Sequence, residues 1–172
     1  NEPVGFLIYH EECGKILFIT DSYYCQYTFS GLNQIIIEAN YCQTILDDRV
    51  AKGVNPKFLR DRVITSHMSL NTCKQMLGAN DLSHVKNIVL IHLSDGNSDE
   101  KRFKYEVEQQ TGKQVHIAVP GLTVNFNKNP YPSTYDYDQK ELYIYRKDKF
   151  KDGSETVETF KKLFGMSSPG DS

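Results

Sequence analysis

The hydrophobic positions of the chain form short apolar runs separated by amphipathic stretches. Two β-rich runs, Gly5–Tyr9 and Lys15–Ile19, flank a polar turn that ends at Gly14, which is typical of a β-hairpin. Continuous apolar runs at Gln34–Glu38 and Val85–Leu93 indicate strands that are buried on both faces. The pattern predicts an α/β (α+β) fold in which helices flank a mixed sheet.

Helical periodicity occupies the stretches between these strands. Two short helices are predicted within residues 41–62, a third after the N-cap candidates Ser69 or Asn71, and a fourth after Ser98, whose side chain can cap it. Three more strands and one more amphipathic helix are predicted, at Val115–Val119, Leu122–Phe126, Glu141–Arg146 and Ser154–Phe164. The composition changes after Phe126, where a segment rich in proline and tyrosine begins. We therefore expect a first domain over residues 1–126 and a C-terminal extension over residues 127–172.

Composition and charge exclude several classes of protein. The 20 Lys+Arg and 22 Asp+Glu residues give a net charge of -2, so charge does not support nucleic-acid binding, although a local site could still hold an anion. No apolar run approaches the roughly 20 residues of a membrane helix, so we expect no membrane association. Four cysteines without Cys-x-x-Cys spacing favour reduced thiols and a cytoplasmic location.

Side chains that can bind a metal or an anion follow strands, or precede a helix, at three places. Asp21 follows the second strand, His92 lies at the end of an apolar run, and His67 precedes a helix whose free N–H groups favour an anion. Each has an ordinary structural alternative when taken singly. Asp21 could cap a turn, His92 could be a satisfied core histidine, and the segment around His67 could be a plain helix cap.

Four motifs, taken in their order along the chain, carry more information than any one of them. They are Thr20-Asp21 after a strand, Glu38–Tyr41 after a strand, Ser66–Ser69 before a helix, and His92–Asn97 between a strand and a helix. This order resembles the carboxyl-terminal half of the metallo-β-lactamase superfamily, and more narrowly its bacterial and phage branch of phosphodiesterase-like or exonuclease-like proteins. The resemblance covers residues 5–126 and leaves residues 127–172 outside it.

The resemblance implies half of an αββα sandwich with a C-terminal strand-helix extension. It further implies that Asp21 bridges two metal ions and that His92 is the last histidine ligand, on the second ion. His67 would be the catalytic residue at the rim, as a substrate-phosphate contact or a proton donor. Supporting positions would orient neighbouring side chains or shape the loop behind His92; they are Glu38, Asn40, Ser94 and Asn97.

The implied cofactor is a divalent metal, zinc or manganese, with two ions in the complete site. The superfamily's His-x-His-x-Asp-His motif and a further single-histidine motif have no counterpart in this chain. A catalytic zinc normally needs three protein ligands, so weak or single occupancy is expected here. We interpret the chain, which opens at Asn1 without a methionine, as a fragment of a metallo-hydrolase that is active only when complete.

The leading hypothesis is a phosphodiesterase that acts on nucleotides or nucleic-acid ends. The alternative is a non-catalytic interaction module that binds a protein partner through Tyr23, Tyr24, Tyr27 and Phe29, although these aromatics could equally belong to the core. A third interpretation is an unrelated α/β domain with structural histidines. Half a sandwich leaves one sheet face open, so we expect a homodimer or the missing amino-terminal half to cover it, rather than residues 127–172.

Overall fold

The computed structural model describes residues 5–129, 134–136 and 141–143. Over these residues the protein is α+β, with a mixed five-stranded sheet, four α-helices and a separate two-stranded sheet. The strands of the large sheet are β1 Gly5–His10, β2 Gly14–Ile19, β3 Gln34–Glu38, β4 Asn87–Ile91 and β5 Gln114–Ile117. The helices are α1 Gln43–Ala51, α2 Lys57–Ser66, α3 Leu70–Gly78 and α4 Glu100–Thr111. The small sheet consists of β6 Thr134–Asp136 and β7 Glu141–Tyr143, and the chain divides into two compact units at Lys128 and Asn129.

The strands of the large sheet lie side by side in the order of the sequence. The hairpin partners β1 and β2 are antiparallel, while β2, β3, β4 and β5 are parallel. Each parallel crossover advances one position in the same direction, and right-handed crossovers of this kind place their connections on one face. The carboxyl ends of β2, β3 and β4 therefore lie side by side at one end of the sheet, where the chain leaves each strand.

The hydrophobic core lies between one sheet face and the helices. Leu17, Ile35 and Ile88 occupy one row of the register and are at most 1% exposed. Leu77 of α3 and Phe103 of α4 pack in the same cluster. Each such side chain contributes roughly 1.5–3 kcal/mol when buried.

The structure corrects two predictions about local elements. Leu122–Phe126 is not a strand, because the carbonyls of Asn125 and Phe126 accept hydrogen bonds from side chains rather than from a strand backbone. Ser98 does not cap α4. Its hydroxyl donates to the Ser94 carbonyl, while the Asp99 side chain accepts the Arg102 N–H at 3.0 Å.

The predicted hairpin, the two short helices before α3 and the Ser69 cap of α3 are confirmed. Of the last predicted strand, the structure describes Glu141–Tyr143 as β7. Strand β6 lies in a segment that was predicted to be a connection, and it is a strand because it pairs antiparallel with β7. The predicted helix Ser154–Phe164 lies outside the described residues. All four cysteines are free. Among the described residues, no helix has the length and apolar character required to cross a membrane.

Candidate metal centre

The candidate centre lies at the carboxyl ends of the parallel strands. Glu38 is the last residue of β3, His92 directly follows β4, and Asp21 comes two residues after β2. His67 enters the same place from the C-terminal end of α2. Folds with parallel sheets commonly bind ligands at the carboxyl ends of the strands, because the loops there can vary without disturbing the core.

Asp21 and His92 have strained backbones. Their φ angles are 50° and 58°, and within the described range they are the two non-glycine residues with positive φ. Such conformations cost of order 1–3 kcal/mol and concentrate at functional sites. At His92 the conformation is held by Asn40, whose Nδ2 donates to the His92 carbonyl at 2.7 Å. The two residues predicted as ligands are therefore the two that the fold holds in this costly geometry.

Glu38 connects the two histidines. Its side chain is fully buried, and Oε1 lies 2.8 Å from His67 Nδ1 and 3.1 Å from His92 Nδ1. The second oxygen, Oε2, accepts the backbone N–H of Ser22 at 3.1 Å. A buried carboxylate is costly unless it is paired and hydrogen-bonded, so these three partners are what make its burial tolerable. The imidazole rings meet edge to face, with centroids 4.9 Å apart.

The donor set suits a divalent metal ion. Asp21, His67 and His92 each offer a ligand atom within 4.8 Å of the others, and Asp21 Oδ1 lies 3.5 Å from His92 Nδ1. Because Glu38 Oε1 lies 3.1 Å from the same His92 Nδ1, this nitrogen can bind an ion only when it does not donate a proton to Glu38. The Asp21 and His92 side chains are 64% and 42% exposed, whereas Glu38 is buried behind them. One carboxylate and two imidazoles open to solvent are thus backed by a carboxylate that orients the rings.

Asn40, Ser94 and Asn97 are brought together in the loop behind His92. Ser94 N–H donates to the Asn40 carbonyl at 2.9 Å, and Asn97 Nδ2 donates to Ser94 Oγ at 3.0 Å. The Asn97 carbonyl accepts the N–H of Cys42 at the start of α1. These bonds tie the loop to the segment that joins β3 to α1, and none of the three side chains belongs to the donor set of Asp21, His67 and His92.

Two backbone N–H groups at the start of α3 already have acceptors. Leu70 N–H donates to the Tyr41 carbonyl at 2.8 Å, and Thr72 N–H donates to Ser69 Oγ at 3.0 Å. These two groups are therefore not free to bind an anion, and the anion site expected before α3 stays a prediction. His67 is the part of the segment Ser66–Ser69 that faces the centre.

The aromatic loop after Asp21 divides into surface and core. Tyr23, Tyr24 and Tyr27 are 55%, 57% and 64% exposed, whereas Phe29 packs against the core cluster. The loop begins at Ser22, which is buried and bonded to Glu38. Sequence reasoning missed this role of Ser22, since a serine after a strand gives no signal that its amide binds a carboxylate 16 residues away.

No protein-family model matches the chain, and no curated protein matches it in sequence. The metallo-β-lactamase relationship therefore remains a prediction drawn from the four motifs.

Proposed function

We propose that this chain carries part of the active centre of a metal-dependent hydrolase with a metallo-β-lactamase half-sandwich, acting as a phosphodiesterase on nucleotides or nucleic-acid ends. The observation that carries the proposal is the pairing of Asp21 and His92. Together with His67 they offer ligand atoms that all lie within 4.8 Å of one another, both of their backbones are strained, and the buried Glu38 carboxylate contacts both histidines. A purely structural histidine requires none of this arrangement.

Asp21 and His92 would hold a zinc or manganese ion, which when bound supplies Lewis acidity toward a phosphate oxygen. A second ion needs further ligands of the His-x-His-x-Asp-His type, which the 172 residues do not contain. The chain by itself is therefore expected to bind one ion weakly, and hydrolysis is expected only where such a segment completes the centre.

His67 is the proposed proton donor or phosphate contact. Glu38 holds its Nδ1 at 2.8 Å, which leaves Nε2 as the nitrogen for a substrate oxygen. The His67 side chain is 23% exposed, so the ring is fixed by its surroundings but still reachable. Glu38 would act as a positioning residue, because it touches the imidazole and not the substrate.

Small nucleotides are the proposed substrate class. Tyr23 and Tyr24 directly follow Asp21 and Ser22 and expose more than half of their surface, so a base attached to a phosphate at Asp21 could stack on them. The net charge of -2 gives no field that would attract long duplex DNA. The aromatic loop thus supplies affinity for a base where charge supplies none for a polymer.

Titration calorimetry of the 172-residue chain with Zn²⁺ or Mn²⁺ tests the metal centre. Asp21→Ala and His92→Ala should each weaken binding by more than about 100-fold, since each removes a direct ligand. Asp95→Ala and His84→Ala are matched controls, because both residues are exposed and lie outside the donor set. Equal affinities in all five proteins, or no binding by the parent chain, would rule out the proposed centre.

The second candidate function is a non-catalytic interaction module, favoured by the exposure of Tyr23, Tyr24 and Tyr27. It predicts that serine at all three positions abolishes association with a protein partner while metal affinity stays the same. The hydrolase proposal predicts that the same triple variant loses affinity for AMP but keeps its affinity for ribose 5-phosphate. Calorimetry with these two ligands separates the candidates.

A further inference from the structure

The edge strand β1 differs from every other strand of the large sheet. All six of its residues are exposed, and Phe6, Leu7, Ile8 and Tyr9 keep 54%, 52%, 47% and 74% of their surface. Within the described residues β1 pairs with β2 alone. Its outer backbone groups therefore have no partner strand within the described residues, and the apolar side chains on both faces of the strand are exposed beside them.

Natural edge strands usually carry a feature that prevents further pairing, such as a charge, a proline or a bulge. The stretch from Gly5 to Tyr9 has no charged residue and no proline. Its register with β2 runs without interruption from Gly5 opposite Ile19 to His10 opposite Gly14, so no bulge bends it away. None of these protective devices is present in this strand.

The opposite edge of the same sheet is protected. Strand β5 has four residues, Lys113 and Gln114 stand at its start, and Pro120 follows shortly after it. Short length, polar side chains and a nearby proline all discourage pairing. Because Pro3 and Glu11 flank β1 as well, the two edges differ within the strands themselves: β1 has six residues and exposes four large apolar side chains, whereas β5 has four residues.

We propose that β1 pairs antiparallel with β1 of a second copy, which joins two five-stranded sheets into one. Two-fold symmetry requires an antiparallel arrangement, and it makes the same strand complementary to itself. The N–H and C=O groups that point away from β2 occur at every second residue of β1. Two residues that pair across the two-fold axis therefore have residue numbers that differ by an even number. A two-fold axis at Leu7 sets Leu7 against the partner's Leu7 and Phe6 against the partner's Ile8, an aromatic and β-branched pair of a favourable kind.

The surface available sets the strength of this dimer. At most, the exposed half of each of four large side chains, on the order of 100 Å² apiece, could be buried on each copy, because the sheet faces stay open. With the backbone, the two copies bury roughly 1,000 Å² in total, at the low end of specific interfaces. The dimer is therefore expected to dissociate in the micromolar range. It does not depend on the metal centre.

Sedimentation velocity of the full chain over a concentration series tests the proposal. The parent chain should shift from monomer to dimer with increasing concentration. Leu7→Lys and Leu7→Glu should each weaken the dimer about tenfold or more, because like charges then face each other at the axis. An equimolar mixture of the two variants should dimerise again, because lysine then faces glutamate.

Two controls keep the result specific. Phe58→Lys places a charge at a residue that is 72% exposed on α2, and Tyr27→Ser alters the aromatic loop; both should dimerise like the parent chain. Thermal melting by circular dichroism checks that the Leu7 variants remain folded. A parent chain that stays monomeric, Leu7 variants that dimerise normally, or a mixture that fails to dimerise would each overturn the proposal.

Discussion

The two ends of the parallel strands hold buried polar side chains of different kinds. At the amino end these are the neutral amides of Gln34 and Asn87, and Asn87 Nδ2 donates to Gln34 Oε1 at 2.9 Å. Both also donate to carbonyls of the segment that crosses this end, Gln34 to Phe126 and Asn87 to Asn125. At the carboxyl end the buried group is the Glu38 carboxylate, and its side-chain partners are two histidines.

The difference separates an end whose polar groups satisfy one another from an end with the features expected of a ligand site. The amino-end amides satisfy one another and the crossing chain, which is the ordinary way in which buried polar groups stabilise a fold. At the carboxyl end, titratable groups share one carboxylate, part of their surface is open, and the backbone is strained at Asp21 and His92. Such a concentration of titratable groups and strain is typical of a ligand site.

Among the variants that compare the two ends of the strands, Glu38→Gln is expected to have the largest effect. Glu38→Gln keeps the shape of the side chain but replaces one of its two oxygens by an NH₂ group. One oxygen then remains for His67, His92 and the Ser22 N–H, so the two imidazoles lose their orientation. Zinc affinity measured by calorimetry should fall about 10- to 100-fold, as for other residues that orient metal ligands. Gln34→Leu, at the other end of the same strand, should leave the affinity unchanged. Equal losses in both variants would erase the distinction between the two ends.

At the amino end the effect should appear in stability instead. Asn87→Ala removes the partner of Gln34 Oε1, of the Asn125 carbonyl and of His116 Nε2. Buried groups left unsatisfied cost about 1–3 kcal/mol, so the free energy of unfolding in urea should fall by that amount. Asn71→Ala, an exposed position on α3, should change it by less than about 0.5 kcal/mol. A loss of zinc affinity in Asn87→Ala would contradict the assignment.

Much of this arrangement could be predicted from the sequence, since short-range patterns determine it. Continuous apolar runs predicted β3 and β4. That Asp21 and His92 share one site was implied by the resemblance that the order of the four motifs carries. The N-cap Ser69 was also visible, because a serine before an amphipathic stretch has a local signature.

What the sequence could not predict depends on contacts between distant residues. Glu38 meets His67 29 residues later, and the pattern around neither residue indicates that they touch. The segment after Pro120 has a strand-like composition, yet none of the strands in the described part of the chain pairs with it, and the side chains of Gln34 and Asn87 bind its carbonyls instead. Tertiary context overrides local propensity at such positions.

A smaller effect concerns the strain at the carboxyl end. Asp21→Gly should stabilise the metal-free protein by about 0.5–1 kcal/mol, because glycine adopts a φ of 50° without the penalty that aspartate has there. Asp95→Gly is the matched control, since it also removes an exposed carboxylate but has no positive φ to relieve, and it should be neutral or destabilising. Urea unfolding with EDTA present measures both. A destabilised Asp21→Gly would show that the backbone at this end carries no strain.

The smallest effect should be a pH dependence at the amino-end histidine. Burial, aided by the nearby Lys104, lowers the pKa of His116 below its ordinary value of 6.5. The unfolded chain therefore binds a proton at His116 more readily than the folded protein does. The free energy of unfolding should fall as the pH drops from about 7.5 through the ordinary His pKa of 6.5, and the loss is complete below the pKa of the folded protein. His116→Gln should reduce the difference in unfolding free energy between pH 7.5 and pH 5. His116 Nε2 lies 3.2 Å from the neutral Asn87 amide, and the opposing effect of Glu108 on the His116 pKa is smaller than the effects of burial and Lys104. An unchanged pH dependence in His116→Gln would mean that this histidine titrates like a surface group, and that the two ends differ less in their electrostatics than their hydrogen bonds indicate.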